Sequence, residues 1–317
     1  MDLRSYTRSY AQQDNLLASL SFFGTFTVYF SALYLAISQA DRWYIVLPAG
    51  VVFAFASVRL YVLQHDTGHH SLFVTRAQNE LAGHVLSPFT FAPFEVMKQN
   101  HNLHHANIGN LEHRETGEIH TMTLREWQEA GIWQRLVYRL YRNPAILVPL
   151  GSAFTYFIRY RWPKNSGRFG ALGVVLHNIV IILLLAALYR VAGGQGVLIW
   201  LFFSFVGGMI GVFLVYLQHN FEDTYWDRRP DLNPAEAALQ GSSCLDFGWF
   251  FDFAVANITL HDIHHFNARI PSYRLRQCHY NLPEEFALRR IKFGEALRAL
   301  SLKLWDEDRK RLVPFPA

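Results

Sequence analysis

Two long stretches of this 317-residue chain contain no charged side chain. They cover residues 16–38 and 196–217, and each is long enough to cross the roughly 30 Å hydrocarbon core of a bilayer as a helix. Residues 43–63 are interrupted only by Arg59, and residues 169–189 carry His177 and Asn178 but no formal charge. The sequence therefore predicts an all-α integral membrane protein with four transmembrane helices.

Four spans would place both chain termini on one side of the membrane, together with residues 64–168 and everything after residue 218. Of the 29 Lys and Arg residues, all but Arg42, Arg59 and Arg190 fall on that side, which the positive-inside rule assigns to the cytoplasm. Two shorter apolar stretches, 81–94 and 145–158, have the length of segments that lie along a membrane. Nothing divides the chain, so we predict one domain over residues 1–317 with a helical cytoplasmic cap.

Three histidine clusters lie on the predicted cytoplasmic side: HDTGHH at 65–70, HNLHH at 101–105 and HDIHH at 261–265. A single HxxHH among 15 histidines could be an ordinary polar surface, but three related clusters favour a metal centre. Eight or nine imidazoles exceed the four positions of a tetrahedral zinc ion, which favours two metal ions. Histidines at i, i+3 and i+4 share a helical face, so each of the last two clusters is predicted to aim three nitrogens at one place.

A further histidine, His219, ends the last predicted span. It is predicted to lie at the level of the clusters and to add a ligand from a separate helix; the alternative is an ordinary histidine at the membrane interface.

The ligand types restrict the chemistry. A calcium or magnesium site needs oxygen ligands, the HExxH motif of zinc proteases is absent, and no ExxH motif of carboxylate-bridged di-iron bundles occurs. A histidine-rich di-iron centre that activates dioxygen at a membrane surface remains, and a lipid chain would be its natural substrate.

The chain resembles the membrane fatty acid desaturase family, closest to the bacterial acyl-lipid desaturases. The resemblance rests on the three boxes in order, their spacing against four spans, and the segments HHANIGNLEHRETGEI, QHNFEDTYW and ANITLHDIHH. It implies a di-iron oxidase in the bacterial inner membrane that uses dioxygen and two electrons to convert adjacent methylenes into a double bond. The implied iron ligands are His65, His69, His101, His104, His105, His219, His261, His264 and His265.

Five residues near these ligands are predicted to support them. Asp66 and Asp262 each follow a box histidine, and a carboxylate that accepts the other ring N–H fixes a ligand's orientation. Asn257 could face the site by helical spacing or cap a helix, and His70 adjoins the first box. Glu222, close to His219, could support it or form an ion pair in a loop. His84, His113, His120, His177 and His279 are predicted to be structural or surface residues.

The electrons are predicted to come from a separate donor, a ferredoxin or a cytochrome b5-like protein, with its reductase. The chain has neither an HPGG haem signature nor a Gly-rich dinucleotide fingerprint. Its net charge of +4 lacks the pattern of a nucleic-acid partner and fits anionic lipid or an acidic donor. Residues 284–312 are predicted to form an amphipathic helix.

Two alternatives remain open. A hydroxylase, ketolase or acetylenase could use the same core, and a membrane metal-binding or transport protein would belong to another class. The second alternative calls for ionisable residues across several spans, and these spans have almost none.

Overall fold

The computed structural model describes residues 2–114, 119–162, 171–286 and 288–316. Helices dominate it, as the sequence predicted, and we number them in chain order. They are α1 (Leu3–Arg8), α2 (Asn15–Ser38), α3 (Trp43–Gly68), α4 (Arg76–Thr90), α5 (Phe94–Asn107), α6 (Leu124–Glu129), α7 (Ile132–Tyr141), α8 (Pro144–Ser152), α9 (Ala171–His219), α10 (Pro234–Gln240), α11 (Trp249–Ala254), α12 (His261–Phe266), α13 (Ser272–Tyr280) and α14 (Phe293–Ala299).

Three of these helices are long and apolar enough to cross a membrane, namely α2, α3 and α9. The carboxylate of Asp14 caps α2 by accepting hydrogen bonds from the amides of Leu16 and Leu17, which satisfies two donors that a helix start leaves open. Exposed leucine, valine and phenylalanine side chains cover much of α2 and α9. Such an apolar exterior is suited to lipid. The chain is therefore a membrane protein.

Helix α3 lies at the centre of the helical packing, where it contacts α2, α4 and α9. Small residues on α3 and α9 allow these two helices to approach closely. A Cβ atom added to Gly207 on α9 would lie only 3.0 Å from the carbonyl oxygen of Ala54 on α3. The buried indole of Trp200 donates a 2.6 Å hydrogen bond to the hydroxyl of Tyr29, which joins α9 to α2. These contacts pack the second half of α9 against α3 and α2.

Helix α9 contains one break in its 49 residues. Gly193 has φ of 64° and ψ of −169°, a backbone conformation that residues other than glycine rarely adopt. The break divides α9 into residues 171–192 and 194–219. The predicted spans 169–189 and 196–217 fall in these two halves, except that residues 169 and 170 lie outside the described residues.

The shorter apolar stretches are helical in part. Residues 81–94 begin in α4 and end at the start of α5, while residues 145–158 continue α8 into a π-helical segment, Ala153–Ile158. A 3-10 turn, Arg159–Arg161, follows. Gln64 on α3 holds the start of α5, because its side-chain amide donates to the carbonyl of Ala92 at 2.9 Å.

The prediction of one amphipathic helix over residues 284–312 was wrong. This segment contains a 3-10 turn (Glu284–Phe286), strand β2 (Arg290–Lys292), α14, and strand β3 (Leu304–Asp306), with β4 (Arg311–Val313) after it. Strand β2 pairs in parallel with β1 (Cys244–Asp246), and β3 pairs with β4 as an antiparallel hairpin. Leu304, expected on a helical stripe, is a buried strand residue packed near Trp127 and Tyr138. Tertiary pairing therefore overrode the helical spacing.

Candidate metal centre

The three histidine boxes come from three separate helices. The first box lies at the C-terminal end of α3, the second occupies the last two turns of α5, and the third forms most of the short helix α12. His219 is the last residue of α9. The prediction that His219 lies at the level of the boxes is confirmed.

The nine histidines converge as two groups. In the five-histidine group, one ring nitrogen from each residue lies within 4.8 Å of those from the others, and the same holds in the four-histidine group. The five-histidine group contains His65, His69, His101, His105 and His264; the four-histidine group contains His104, His219, His261 and His265. The rings of His105 and His265 stack at 4.2 Å between centroids, so the two groups adjoin. All nine predicted ligands are thus brought together.

Each HxxHH box serves both groups, which corrects the prediction that its three nitrogens meet at one place. In the second box, His101 and His105 join the five-histidine group while His104 joins the other; in the third box, His264 is the residue that crosses over. Helical geometry explains the division. Positions i and i+4 are about 40° apart around the axis, whereas i+3 lies about 100° from i+4.

Distances between ring nitrogens test whether a metal ion fits. Two nitrogens bonded at about 2.1 Å to one ion, at right angles, lie about 3.0 Å apart. The Nε2 atom of His105 lies 2.8 Å from His101 Nε2 and 3.2 Å from His264 Nε2. In the other group, His265 Nε2 lies 3.0 Å from His261 Nε2 and 3.2 Å from His104 Nε2. Both groups therefore have the donor type and spacing to hold a metal ion.

Two histidines are oriented by hydrogen bonds on the far side of their rings. A carbonyl oxygen can only accept, so His219 Nδ1 donates to the carbonyl of Gly241 at 3.0 Å and leaves Nε2 as the basic nitrogen. His65 Nδ1 lies 3.3 Å from the carboxylate of Asp66, which is fully buried. This carboxylate also accepts from the amide of Ser272 at 2.7 Å. Such partners fix both tautomer and ring direction.

Burial keeps the imidazoles in the form that binds metal. It lowers the pKa of His69, His101, His105, His261, His264 and His265 well below the ordinary value, and neighbouring histidines lower it further. Both effects disfavour the charged ring. These histidines are therefore neutral at physiological pH, without the proton that would compete with an ion.

The residues predicted to support the ligands differ in their roles. Asp66 contacts His65 as expected. The side-chain amide of Asn257 instead donates to the carbonyl of Ser272 at 2.9 Å, and the backbone amide of Ser272 donates to Asp66. Asn257 does not cap α12, whose N-cap residue is Leu260. Asp262 is buried, but its carboxylate accepts from the Ile263 amide at 2.7 Å. Burial raises the pKa of Asp262 to about 7.

The expectation for His70 and Glu222 is corrected by their contacts. His70 turns away from the first box at φ of 54°, and its Nε2 lies 2.8 Å from the carboxylate of Glu80. Glu222 is exposed and pairs with Arg311 at 3.3 Å, which is the ion-pair alternative. Among the described contacts, neither side chain forms a hydrogen bond or ion pair with one of the nine histidines.

Histidines outside the boxes have structural surroundings. His177 is buried beside the hydroxyl of Ser87 (2.8 Å), and His279 lies 3.5 Å from the thiol of Cys244. His84 is exposed near Glu80 and Glu95, where the ammonium of Lys98 already pairs with both carboxylates at 3.1 Å. Sequence reasoning missed Ser272 and Gly241, because each acts through its backbone and no side-chain signal marks it.

Comparison with known proteins shows which family this chain is similar to. A family model described as "Fatty acid desaturase" matches residues 41–296. A protein of Bacillus subtilis (strain 168) named "Fatty acid desaturase" is 31% identical over 99% of this chain and 90% of its own length. The "sn-1 oleoyl-lipid 12-desaturase" of Picosynechococcus sp. is 24% identical over 82% of this chain and 76% of its own length. The "sn-1 acyl-lipid omega-3 desaturase (ferredoxin)" of Synechocystis sp. is 25% identical over 87% and 78%.

Proposed function

Because the chain belongs to the fatty acid desaturase family, a family of membrane oxidoreductases, we propose that it desaturates the acyl chains of membrane lipids with a di-iron centre. The observation that carries this proposal is the division of nine histidines into groups of five and four, each able to hold one ion. We further propose that residues 1–317 act as a single desaturase domain.

The proposed reaction balances with one dioxygen molecule and two external electrons. Two adjacent methylenes each lose one hydrogen atom, and the two carbons form a double bond. Together with two electrons and two protons, these hydrogens reduce dioxygen to two molecules of water. Iron bound in the histidine groups would supply the redox chemistry, since imidazole ligands suit iron that activates dioxygen.

The chain's own residues would hold the ions and set their surroundings. The five-histidine group and the four-histidine group would each bind one iron through neutral imidazoles. Asp66 and Gly241 would keep His65 and His219 in the tautomer that presents a basic nitrogen.

We propose four membrane spans, with the break at Gly193 joining two of them. A straight helix of 49 residues would be about 74 Å long, more than twice the roughly 30 Å hydrocarbon core. The ends of α3 and α9 that carry His65 and His219 would then face the cytoplasm, as the distribution of Lys and Arg favours. We propose the bacterial inner membrane as the location, since the relatives named above are bacterial.

The relatives' names support the substrate and the electron source. Two of them are named as desaturases of sn-1 lipids, and one name includes ferredoxin. We propose that this chain likewise acts on acyl groups carried by lipids and receives electrons from a separate ferredoxin or cytochrome b5-like donor with its reductase.

Mass spectrometry of fatty acids from a host that expresses the chain tests the proposal. We expect new acyl chains two mass units lighter, and their loss in His104→Ala and His264→Ala, which remove one nitrogen from each group. The matched control is His84→Ala, because His84 is exposed and belongs to neither histidine group. Two equivalents of iron in the purified parent protein are also expected.

Other products would redirect the assignment. Lipids that gain an oxygen atom would indicate a hydroxylase or ketolase, and chains four mass units lighter than the saturated parent would be consistent with an acetylenase. Loss of metal transport in the histidine variants, with lipids unchanged in the parent, would indicate a metal-binding or transport protein. Any of these results would contradict the proposed desaturation.

A further inference from the structure

A large cavity in the described part of the chain opens directly onto the histidine centre. Its volume is about 1160 Å³, and it lies between α1, the segment before α10, and the end of α12. His105 and His265 reach it from the inside. The two rings stack on each other, and each belongs to a different histidine group. One opening therefore gives access to both groups.

Four arginines surround this cavity, and they come from three separate parts of the chain. Arg4 and Arg8 lie one turn apart on α1, Arg229 precedes α10, and Arg269 follows α12. All four side chains are exposed. Among the described residues that line the cavity there is no aspartate or glutamate. The mouth is therefore strongly positive.

These arginines differ from other basic residues of the same region. Arg228 pairs with Glu307 at 3.0 Å, and Arg311 pairs with Glu222 at 3.3 Å. Within the described ranges, by contrast, the four arginines around the cavity form no ion pair. Their charge is thus available to a partner, and a cluster of uncompensated charge attracts an oppositely charged protein over a distance.

We propose that this arginine rim (Arg4, Arg8, Arg229 and Arg269) is the docking surface for an acidic one-electron carrier protein of the ferredoxin type. The inference rests on the proposed function, which requires two electrons from outside for each double bond. Two carriers, each oxidised by one electron, supply the pair. The histidine edges at the base of the cavity are where the carrier would come nearest to both groups.

The exposure of the arginines favours a protein over a lipid phosphate. A phosphate group held for catalysis is usually gripped by arginines in paired, partly buried hydrogen bonds. Here the cations stand at the mouth of a wide opening, an arrangement that steers a protein without enclosing its charge. The mouth also lies next to the histidines, where electrons are needed.

Charge reversal on the rim tests the proposal. The rim variant is Arg4→Glu/Arg269→Glu, and the control variant is Arg42→Glu/Arg190→Glu, which changes the net charge equally. Arg42 lies at the opposite end of α3 from His65, and Arg190 lies next to the break in α9. A neutral version, Arg4→Gln/Arg269→Gln, serves if charge reversal prevents folding, which thermal denaturation of the purified protein reveals.

Three measurements on the iron-loaded protein in detergent are compared. The first is binding of an oxidised plant-type [2Fe–2S] ferredoxin, and the second is reoxidation of the photoreduced ferredoxin in stopped flow. Each is made at about 20 mM and about 200 mM salt, since salt at the higher level screens charges beyond about 7–8 Å. The third is formation of desaturated lipid with dithionite as the reductant.

We expect both ferredoxin binding and its reoxidation to weaken at least ~10-fold in the rim variant at low salt, with a smaller difference at high salt. The control variant should match the parent, and dithionite should support equal product in all three proteins. Equal ferredoxin binding by the rim variant and the parent, or no binding by the parent, would overturn the proposal.

Two further outcomes separate this proposal from the proposed function. If the rim variant binds ferredoxin normally but makes no product with dithionite, the cavity receives the lipid headgroup and the docking proposal is wrong. If the parent makes no desaturated lipid with either reductant, the proposed function fails. Ferredoxin binding and its salt dependence would still decide whether the arginine rim is a docking surface.

Discussion

Asp66→Asn separates the role of a buried carboxylate in orienting a ligand from its role in folding. In the parent protein, the carboxylate of Asp66 accepts a hydrogen bond from His65 Nδ1–H at 3.3 Å and another from the backbone amide of Ser272 at 2.7 Å. The asparagine oxygen can still accept from Ser272, but its NH₂ group then faces His65. If His65 Nδ1 accepts a hydrogen bond from this NH₂ group, the proton of the neutral ring lies on Nε2. Nε2 faces the five-histidine group, and a protonated nitrogen cannot bind a metal ion.

The expected loss is specific to metal binding. Removing a partner of this kind typically lowers metal affinity 10- to 100-fold, or about 1.4–2.7 kcal/mol. The free energy of unfolding of the metal-free protein should fall by less than about 1 kcal/mol, because the bond from Ser272 survives. Asp66→Ala should cost about 1–3 kcal/mol, since it leaves the buried Ser272 amide without its acceptor.

The assay is competition between the protein and a chelator for ferrous iron, with bound iron counted by mass spectrometry. At limiting free iron, Asp66→Asn should bind fewer equivalents than the parent, while thermal denaturation of the metal-free proteins is nearly equal. Glu222→Gln is the control, because that exposed carboxylate pairs with Arg311 away from the histidines. Parental iron affinity in Asp66→Asn, or loss of affinity only in proportion to lost stability, would refute the reasoning.

Three further predictions concern stability. In the metal-free protein the pKa of six histidines of the centre is lowered, so the unfolded chain binds more protons than the folded chain below about pH 6.5. Stability should be flat above that pH and fall by up to about 1.4 kcal/mol per histidine and pH unit below it. Thermal denaturation from about pH 8 to pH 5 checks this, and a flat profile would contradict it. Gly207→Ala should lower the free energy of unfolding by about 1–3 kcal/mol, because the new methyl group meets the Ala54 carbonyl. Gly24→Ala, which has open space around it, should be neutral or slightly stabilising in the same thermal denaturation experiments. Arg142→Met should lower the free energy of unfolding by about 3 kcal/mol or more, since the fully buried guanidinium donates to the backbone carbonyl of His120 and to the side chain of Asn220. Thermal denaturation should show no such loss for Arg125→Met, because Arg125 is exposed.

The pattern of the boxes predicted the ligands but not how they divide. The spacing of HNLHH and HDIHH indicated a shared helical face, and each box does lie on a helix. Whether a histidine serves one group or the other depends on how α5 and α12 face each other. His104 and His264 cross over because each is the middle histidine of its box, turned toward the group formed by the partner helix.

The residues around the ligands show the same limit. Asp66 could be anticipated because it is a carboxylate next to a ligand in the sequence. Asp262 occupies the equivalent place in the third box, yet it bonds to the Ile263 amide. The sequence neighbours of the two residues are alike, and the difference arises from Ser272, which α13 brings to Asp66 from far along the chain.

The amino-acid sequence by itself determined the long apolar helices, the donor type of the centre and the nine histidines, because length, hydropathy and side-chain chemistry are local properties. Tertiary structure decided the grouping of five and four, the backbone partners at Ser272 and Gly241, and the arginine rim around His105 and His265. It also turned residues 284–312 into strands and a short helix by pairing them with distant segments. These features depend on contacts between residues far apart in the chain, which no local pattern records.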